Sequence, residues 1–122
     1  MSGFEFLQKI VAGELPRPPL ASLMDFQIVE LEEGRAVFVV DPAEYHYNPI
    51  GVVHGGLAAT LLDSAMGCAV HSKLPAGSGY TTLELKVNFI RAMTGGDRSR
   101  PRRRKVDSSG RPYCHRRRPR HR

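Results

Sequence analysis

The chain has the length of a single domain, 122 residues, and 41% of them are hydrophobic, which is enough for a buried core. No run of 18 or more apolar residues occurs, and the first residues lack a basic start, so we expect neither a membrane span nor a secretory signal. The only cysteines are Cys68 and Cys114, which indicate neither a disulfide framework nor a zinc site. A cytoplasmic protein is expected.

The net charge of +6 is unevenly distributed along the chain. Residues 1–96 contain 6 Lys or Arg against 10 Asp or Glu, a net charge of −4. Residues 97–122 contain 12 Lys or Arg against 2 Asp, a net charge of +10. The composition therefore predicts an acidic domain over 1–96 and a separate Arg/Pro-rich tail over 97–122.

The first half of the chain predicts one short helix and a pair of strands. Apolar side chains at helical spacing favour a helix over 3–13, namely Phe4, Leu7, Ile10 and Val11. Residues 25–40 read as two strands around a turn at 32–34, because apolar residues alternate on both sides of it. Residues 43–54 contain Pro, Gly and Asn and are predicted to form a loop.

The second half contains the clearest elements. Residues 56–72 are rich in Leu and Ala and apolar on nearly every side, which predicts a helix buried on more than one face. Residues 80–90 alternate apolar and polar side chains, which predicts a strand. From Gly95 onward almost no apolar residues remain, so we expect residues 97–122 to be disordered. The predicted class is α+β.

Asp63 lies in the middle of the predicted helix, where burying an ionised carboxylate is costly. A capping role does not suit a mid-helix position, and no Lys or Arg lies within one helical turn. A functional carboxylate, an ion pair with a distant cation and a helix face turned to water all remain open at this stage.

Gly55 and Gly56 place bare backbone N–H groups at the start of this helix, where the helix dipole favours negative charge. Such donors can hold the oxyanion that develops at a carbonyl under attack, and together with a carboxylate they indicate acyl transfer to water. A plain tight turn is the alternative. His54, a lone histidine, is more often structural than catalytic. No metal-ligand spacing, GxSxG or phosphate loop occurs.

The segment Asn48 to Gly67, NPIGVVHGGLAATLLDSAMG, resembles the signature of the phenylacetate-pathway (PaaI-type) hotdog thioesterases. The segment Tyr80 to Met93, YTTLELKVNFIRAM, is similar to the strand that follows the helix in that family. The resemblance covers roughly residues 4–93. It implies a hotdog fold, an antiparallel sheet wrapped around one long central helix, and a homodimer or dimer of dimers (a homotetramer).

The resemblance also implies an acyl-CoA thioesterase that acts without metal or cofactor on an acyl or arylacetyl thioester. Asp63 would be the nucleophile or general base, and Gly55 would supply the oxyanion-binding N–H. Asn48 and His54 would position the thioester or water, beside Gly56, and Thr82 would orient water. In the family, Asp63 and Thr82 would come from one subunit and the other residues from its partner.

The tail departs from the family, in which further long strands follow residue 97. The resemblance therefore implies a sheet that is incomplete at its C-terminal end, and we suspect a reading-frame shift near Gly95. Two other functions remain open: a nucleic-acid-binding protein that uses the Arg-rich tail, and a non-catalytic acyl-CoA-binding hotdog protein. The tail has one aromatic residue, Tyr113, and no motif that reads nucleic acid, so no specific nucleic-acid partner and no membrane partner are expected.

Overall fold

The computed structural model describes residues 1–89 and 103–109, together with the backbone of residues 112–114. Its helices are α1 (Gly3–Val11), α2 (Pro19–Met24) and α3 (Gly55–His71). Its strands are β1 (Phe26–Glu32), β2 (Arg35–Val40), β3 (Arg104–Asp107) and β4 (Pro112–Cys114), which form one antiparallel sheet in the order β1-β2-β3-β4. Within these ranges, none of the helices has the length and apolarity needed to cross a bilayer.

The predicted α+β arrangement, an antiparallel sheet against one long helix, is confirmed. The apolar face of α3 packs on the sheet, and together they bury a core that includes Phe26, Phe38, Val40, Leu57, Leu61, Ala65 and Val106. β2 is buried from Ala36 to Val40, so both of its faces are covered. Burial of such side chains is the main stabilising term of the fold.

The β1–β2 hairpin follows the predicted pattern. Phe26 pairs with Val40 and Glu32 with Arg35, with a bulge between Ile28 and Glu30. The turn between the strands requires Gly34, whose φ of 80° is readily adopted only by glycine. Ser72, just after α3, accepts a hydrogen bond from the Gly34 N–H at 2.8 Å, which fixes the hairpin turn to the C-terminal end of the helix.

The helices also follow their local signals, with one addition. The predicted helix over 3–13 is present as α1, and the long helix begins at Gly55, one residue earlier than predicted. The proline-rich segment after α1 also contains the start of a second helix, because Pro19 occupies the first turn of α2. α2 ends at Asp25, whose φ of 54° is left-handed.

The predicted strand over 80–90 is wrong for residues 80–89, which form no strand pairing within the described chain; residue 90 lies outside it. The segment is instead laid along α3, with Tyr80 against Gly67 and Phe89 against Gly55. Leu83, one of the apolar residues of this alternation, is 94% exposed. Alternating apolar and polar residues indicate an extended chain with two chemically different faces. A β-strand also requires a neighbouring strand with which its backbone can form hydrogen bonds.

The expected disorder of the tail is wrong for Arg104–Asp107, which pairs antiparallel with β2, and for the short β4. The composition argument overlooked the open edge of β2, whose backbone groups can be satisfied without apolar side chains. Val106 adds a buried contact, and Arg103 forms a two-pronged ion pair with Asp41 at 3.1 and 3.2 Å. Residues 97–102, 110–111 and 115–122 lie outside the described residues, and the domain boundary at residue 96 stays a prediction.

A substitution in β3 tests whether this strand belongs to the core. Val106 is 4% exposed, so Val106→Ala should lower the free energy of unfolding by about 1–3 kcal/mol, measured by urea denaturation. Lys105→Ala, on the neighbouring and only half-buried position, should change it by less than about 0.5 kcal/mol. Equal, small effects of both substitutions would show that β3 is not packed on the core.

Candidate active site

The first two backbone N–H groups of α3 differ in their hydrogen bonds within the described part of the chain. His54 is the N-cap residue, and its Nδ1 accepts the Gly56 N–H at 2.8 Å while its carbonyl accepts the Leu57 N–H at 3.0 Å. Among the described residues, nothing accepts the Gly55 N–H. The two glycines are therefore not equivalent: the Gly56 N–H is taken by His54, whereas the Gly55 N–H, at the positive end of the helix dipole, has no acceptor within residues 1–89 and 103–109.

Gly55 also permits a close approach by an aromatic ring. A Cβ at this position would lie 3.0 Å from Cε1 of Phe89, closer than nearly all real Cβ contacts. The absent side chain thus leaves the ring of Phe89 beside the first turn of α3. Phe89 was predicted only as an apolar strand residue, and no sequence signal connected it with Gly55.

The loop before α3 is closed by backbone hydrogen bonds around Asn48. The Asn48 N–H donates to the Val52 carbonyl at 2.7 Å, and the Asn48 carbonyl accepts the Gly51 N–H at 3.3 Å. Gly51 has a φ of 80°, which favours glycine. Asn48 therefore shapes the loop through its backbone, and the loop delivers His54 to the N-cap position.

Asp63 and Thr82, predicted to act together, are in contact. The Thr82 hydroxyl donates a hydrogen bond of 2.7 Å to Oδ1 of Asp63. Asp63 is half-buried, and within the described residues no cation forms an ion pair with it. The described residues therefore contain no cation that would support the ion-pair alternative for Asp63, and none of them forms a hydrogen bond with Oδ2 of Asp63. A carboxylate in this state can accept a proton.

Tyr80 brings Thr82 to Asp63. Its hydroxyl lies 2.6 Å from the place that a Cβ on Gly67 would occupy, so a larger residue at this position would displace the ring. Gly67 lies one helical turn after Asp63, and Tyr80 precedes Thr82 by two residues, which is the spacing of one face of an extended chain. Burial, followed by the nearby Cys68 and Asp63, raises the pKa of Tyr80, so its hydroxyl stays protonated at neutral pH.

Tyr80 was missed at the level of sequence, although one signal pointed to it. A glycine inside an otherwise Leu- and Ala-rich helix costs about 1 kcal/mol relative to alanine, which suggests that something packs there. Cys68, the next residue, is not a candidate nucleophile, because burial raises the pKa of its thiol to about 11. The reactive thiolate is therefore scarce at neutral pH.

A cavity of about 620 Å³ opens beside the first turn of α3. His54, Gly56 and Thr60 line one side, and the end of α2 and the loop before α3 supply the rest, including Met24 and Tyr45 to Tyr47. His46 lies in this wall and is only 5% exposed. Nothing in the sequence distinguished His46 from the other histidines.

Two separate groups result within one chain. Asp63 and Thr82 form one, and Gly55, with His54 and Asn48, forms the other. Asp63 follows Gly55 by eight residues, which at 1.5 Å per residue is about 12 Å along the helix and about 80° around it. That distance is too long for both residues of one chain to act on the same carbonyl group.

Residues 50–100 match the family model of the thioesterase superfamily. The matched range contains the loop after Asn48, all of α3 and the segment from Tyr80 to Phe89. Over these residues the chain is similar to the thioesterase superfamily. Its fold is the hotdog fold that the sequence resemblance implied.

Solved structures of the superfamily superpose on the chain. A candidate thioesterase related to phenylacetic acid degradation, from Ralstonia eutropha JMP134, has a TM-score of 0.67 at 22% identity, over 88% of this chain and 92% of that one. A protein from Bacillus halodurans, solved with CoA, has a TM-score of 0.61 at 27% identity, over 88% of this chain and 82% of that one.

Among curated proteins, a candidate esterase from Halobacterium salinarum is 47% identical over 47 residues. The match covers 37% of this chain and 31% of that protein. The chain spans about a third to a half of the length of the first curated relatives that it matches. Sequence similarity to the superfamily is therefore concentrated in part of the chain.

Proposed function

We propose that this protein hydrolyses an acyl-CoA or arylacetyl-CoA thioester to the free acid and CoA. The proposal rests on two groups of α3. The Gly55 N–H has no acceptor among the described residues, and the Asp63 carboxylate accepts a hydrogen bond from the Thr82 hydroxyl. The match of residues 50–100 to the thioesterase superfamily and the CoA in the Bacillus halodurans structure support the choice of thioester and carrier.

In the proposed reaction, the thioester carbonyl oxygen accepts the Gly55 N–H. The developing oxyanion is stabilised there by the fixed N–H dipole and the positive end of α3. Asp63 either removes a proton from the attacking water or attacks the carbonyl carbon itself. The C–S bond then breaks, and the CoA thiolate takes up the proton that water loses. If Asp63 is the nucleophile, water next hydrolyses the anhydride between the acyl group and Asp63, so in both routes water supplies the hydroxyl of the released acid.

The hydroxyl of Thr82 positions Asp63. By donating to Oδ1 it leaves Oδ2 free to face the water or the carbonyl carbon. His54 keeps the first turn of α3 in place, since it caps the helix and occupies the Gly56 N–H. No step requires a metal or cofactor, so we propose a metal-free mechanism.

The site would be shared between two copies of the chain. Because about 12 Å of helix separates Gly55 from Asp63, the Gly55 group of one subunit would face the Asp63 group of its partner. We therefore propose a homodimer, or a dimer of dimers, as the active form. A two-fold axis would create two equivalent sites.

Subunit complementation tests the proposed function and the shared site together. Gly55→Pro and Asp63→Asn subunits, each with its own affinity tag, are co-expressed and assayed by CoA release from acyl-CoAs. Each variant expressed alone should be inactive. Each heterodimer would contain one intact and one doubly defective site, so a random mixture should recover about a quarter of the native activity.

The native protein is the reference for this assay. A native chain that releases no CoA from any acyl-CoA would contradict the proposed reaction. A native chain that is active, with mixtures that recover nothing, would place the complete site within one subunit.

A further inference from the structure

His46 is a buried histidine with a hydrogen bond at each of three positions. Its Nε2–H donates to the Met24 carbonyl at 2.7 Å, and its Nδ1 accepts the Ala43 N–H at 2.9 Å. Its backbone carbonyl accepts the His54 N–H at 2.7 Å. The reaction described above uses none of these groups.

The two ring contacts determine the tautomer of His46. A carbonyl can only accept, so the nitrogen facing Met24 must carry a proton. The Ala43 N–H can only donate, so the nitrogen facing it must be unprotonated. Both contacts are made only by the neutral ring with its proton on Nε2. A second ring proton would point at the Ala43 N–H and break that contact.

His46 connects two segments that line the 620 Å³ cavity. Met24 lies at the end of α2. His54 directly precedes Gly55 at the start of α3. Because the ring of His46 bonds Met24 and its backbone carbonyl bonds His54, His46 determines the distance between these two residues.

We propose that His46 is a positioning residue that fixes the α2 wall of the cavity relative to the Gly55 donor and thereby determines acyl-group selectivity. This proposal rests on the proposed function. The cavity is lined by His54 and Gly56, the two neighbours of Gly55, so an acyl group held at Gly55 would enter it and extend towards Met24. A hexanoyl or phenylacetyl group would extend further towards Met24 than an acetyl group, so it should depend more on the position of α2.

Two conservative variants separate the two ring contacts. A glutamine amide N–H reaches the position of Nε2, so His46→Gln can keep the bond to the Met24 carbonyl. An asparagine amide oxygen reaches the position of Nδ1, so His46→Asn can keep only the bond to the Ala43 N–H. If the link to Met24 positions the wall, glutamine should rescue selectivity and asparagine should not.

The expected result is a substrate-dependent change in KM. In His46→Asn, kcat/KM for phenylacetyl-CoA and hexanoyl-CoA should fall roughly tenfold or more, mainly through KM, while that for acetyl-CoA changes less than about threefold. His46→Gln should stay within about threefold of the native protein for all three. His71→Gln is the matched control, because this half-buried histidine lies at the far end of α3 and outside the cavity. Equal losses with all three substrates, or equal behaviour of the Gln and Asn variants, would overturn the proposal.

A measurement on the native chain needs neither hydrolysis nor a folded variant. In protein labelled with 15N at histidine and glycine, the His46 ring should show the neutral tautomer protonated at Nε2. Its resonances should shift on adding the thioether S-hexyl-CoA but not on adding CoA. The Gly55 amide should shift with both ligands. If Gly55 responds and His46 does not distinguish the ligands, the His46 proposal is wrong. If neither ligand shifts the Gly55 amide, the proposed function fails.

Discussion

Gly55→Pro should lower kcat for acyl-CoA hydrolysis by roughly a hundredfold to a thousandfold, the usual effect of removing one oxyanion donor. Gly55 is the first residue of α3, where proline is well tolerated because its missing N–H would have no partner in the helix. His54 has φ and ψ of −60° and 131°, an extended conformation that is compatible with a following proline. The substitution therefore deletes the donor and preserves the helix.

Gly55→Ala is the matched control for the proline variant. It adds the same Cβ beside the exposed ring of Phe89 but keeps the backbone N–H. Activity within about tenfold of the native value is expected, because the ring can move by a few tenths of an ångström. Circular dichroism and melting curves should be alike for both variants. Similar activity of the proline and alanine variants would exclude the Gly55 N–H as the oxyanion donor.

Asp63→Asn should keep the fold and lower turnover by roughly a hundredfold or more, because the amide cannot accept the proton of water or act as the nucleophile. The side chain has nearly the same size, and its amide oxygen can still accept the hydrogen bond from Thr82. The assay is CoA release from phenylacetyl-CoA and from medium-chain acyl-CoAs.

The neighbouring residue provides the control for Asp63. Ser64 is half-buried on the same helix, and Ser64→Ala should leave turnover within about twofold. Thr82→Val should have an intermediate effect, since it leaves the carboxylate in place but removes the hydroxyl that orients it. An Asp63→Asn variant with native turnover would remove this residue from the mechanism.

The sequence predicted much of the candidate site because its signals are local. The Gly-Gly pair marks the start of α3, and a carboxylate in the middle of a buried helix is conspicuous wherever it occurs. The family resemblance singled out Thr82 as a residue that orients water, from the same subunit as Asp63, but it did not predict the hydrogen bond between them. The difference between Gly55 and Gly56 could not be predicted either, because it depends on the ring of His54 taking one N–H and leaving the other.

The sequence by itself determined α1, the β1–β2 hairpin and α3, since periodicity, caps and turn glycines act over a few residues. Only the tertiary structure decided where the remaining segments lie. Residues 80–89 pack along α3 because Gly55 and Gly67 leave room for aromatic rings. The Arg-rich segment at 104–107 forms a strand because β2 offers an open edge, and His46 acquires its partners from residues up to 22 positions away. Such contacts depend on space and on backbone hydrogen-bonding partners that distant residues supply. A local sequence pattern cannot predict them for this reason.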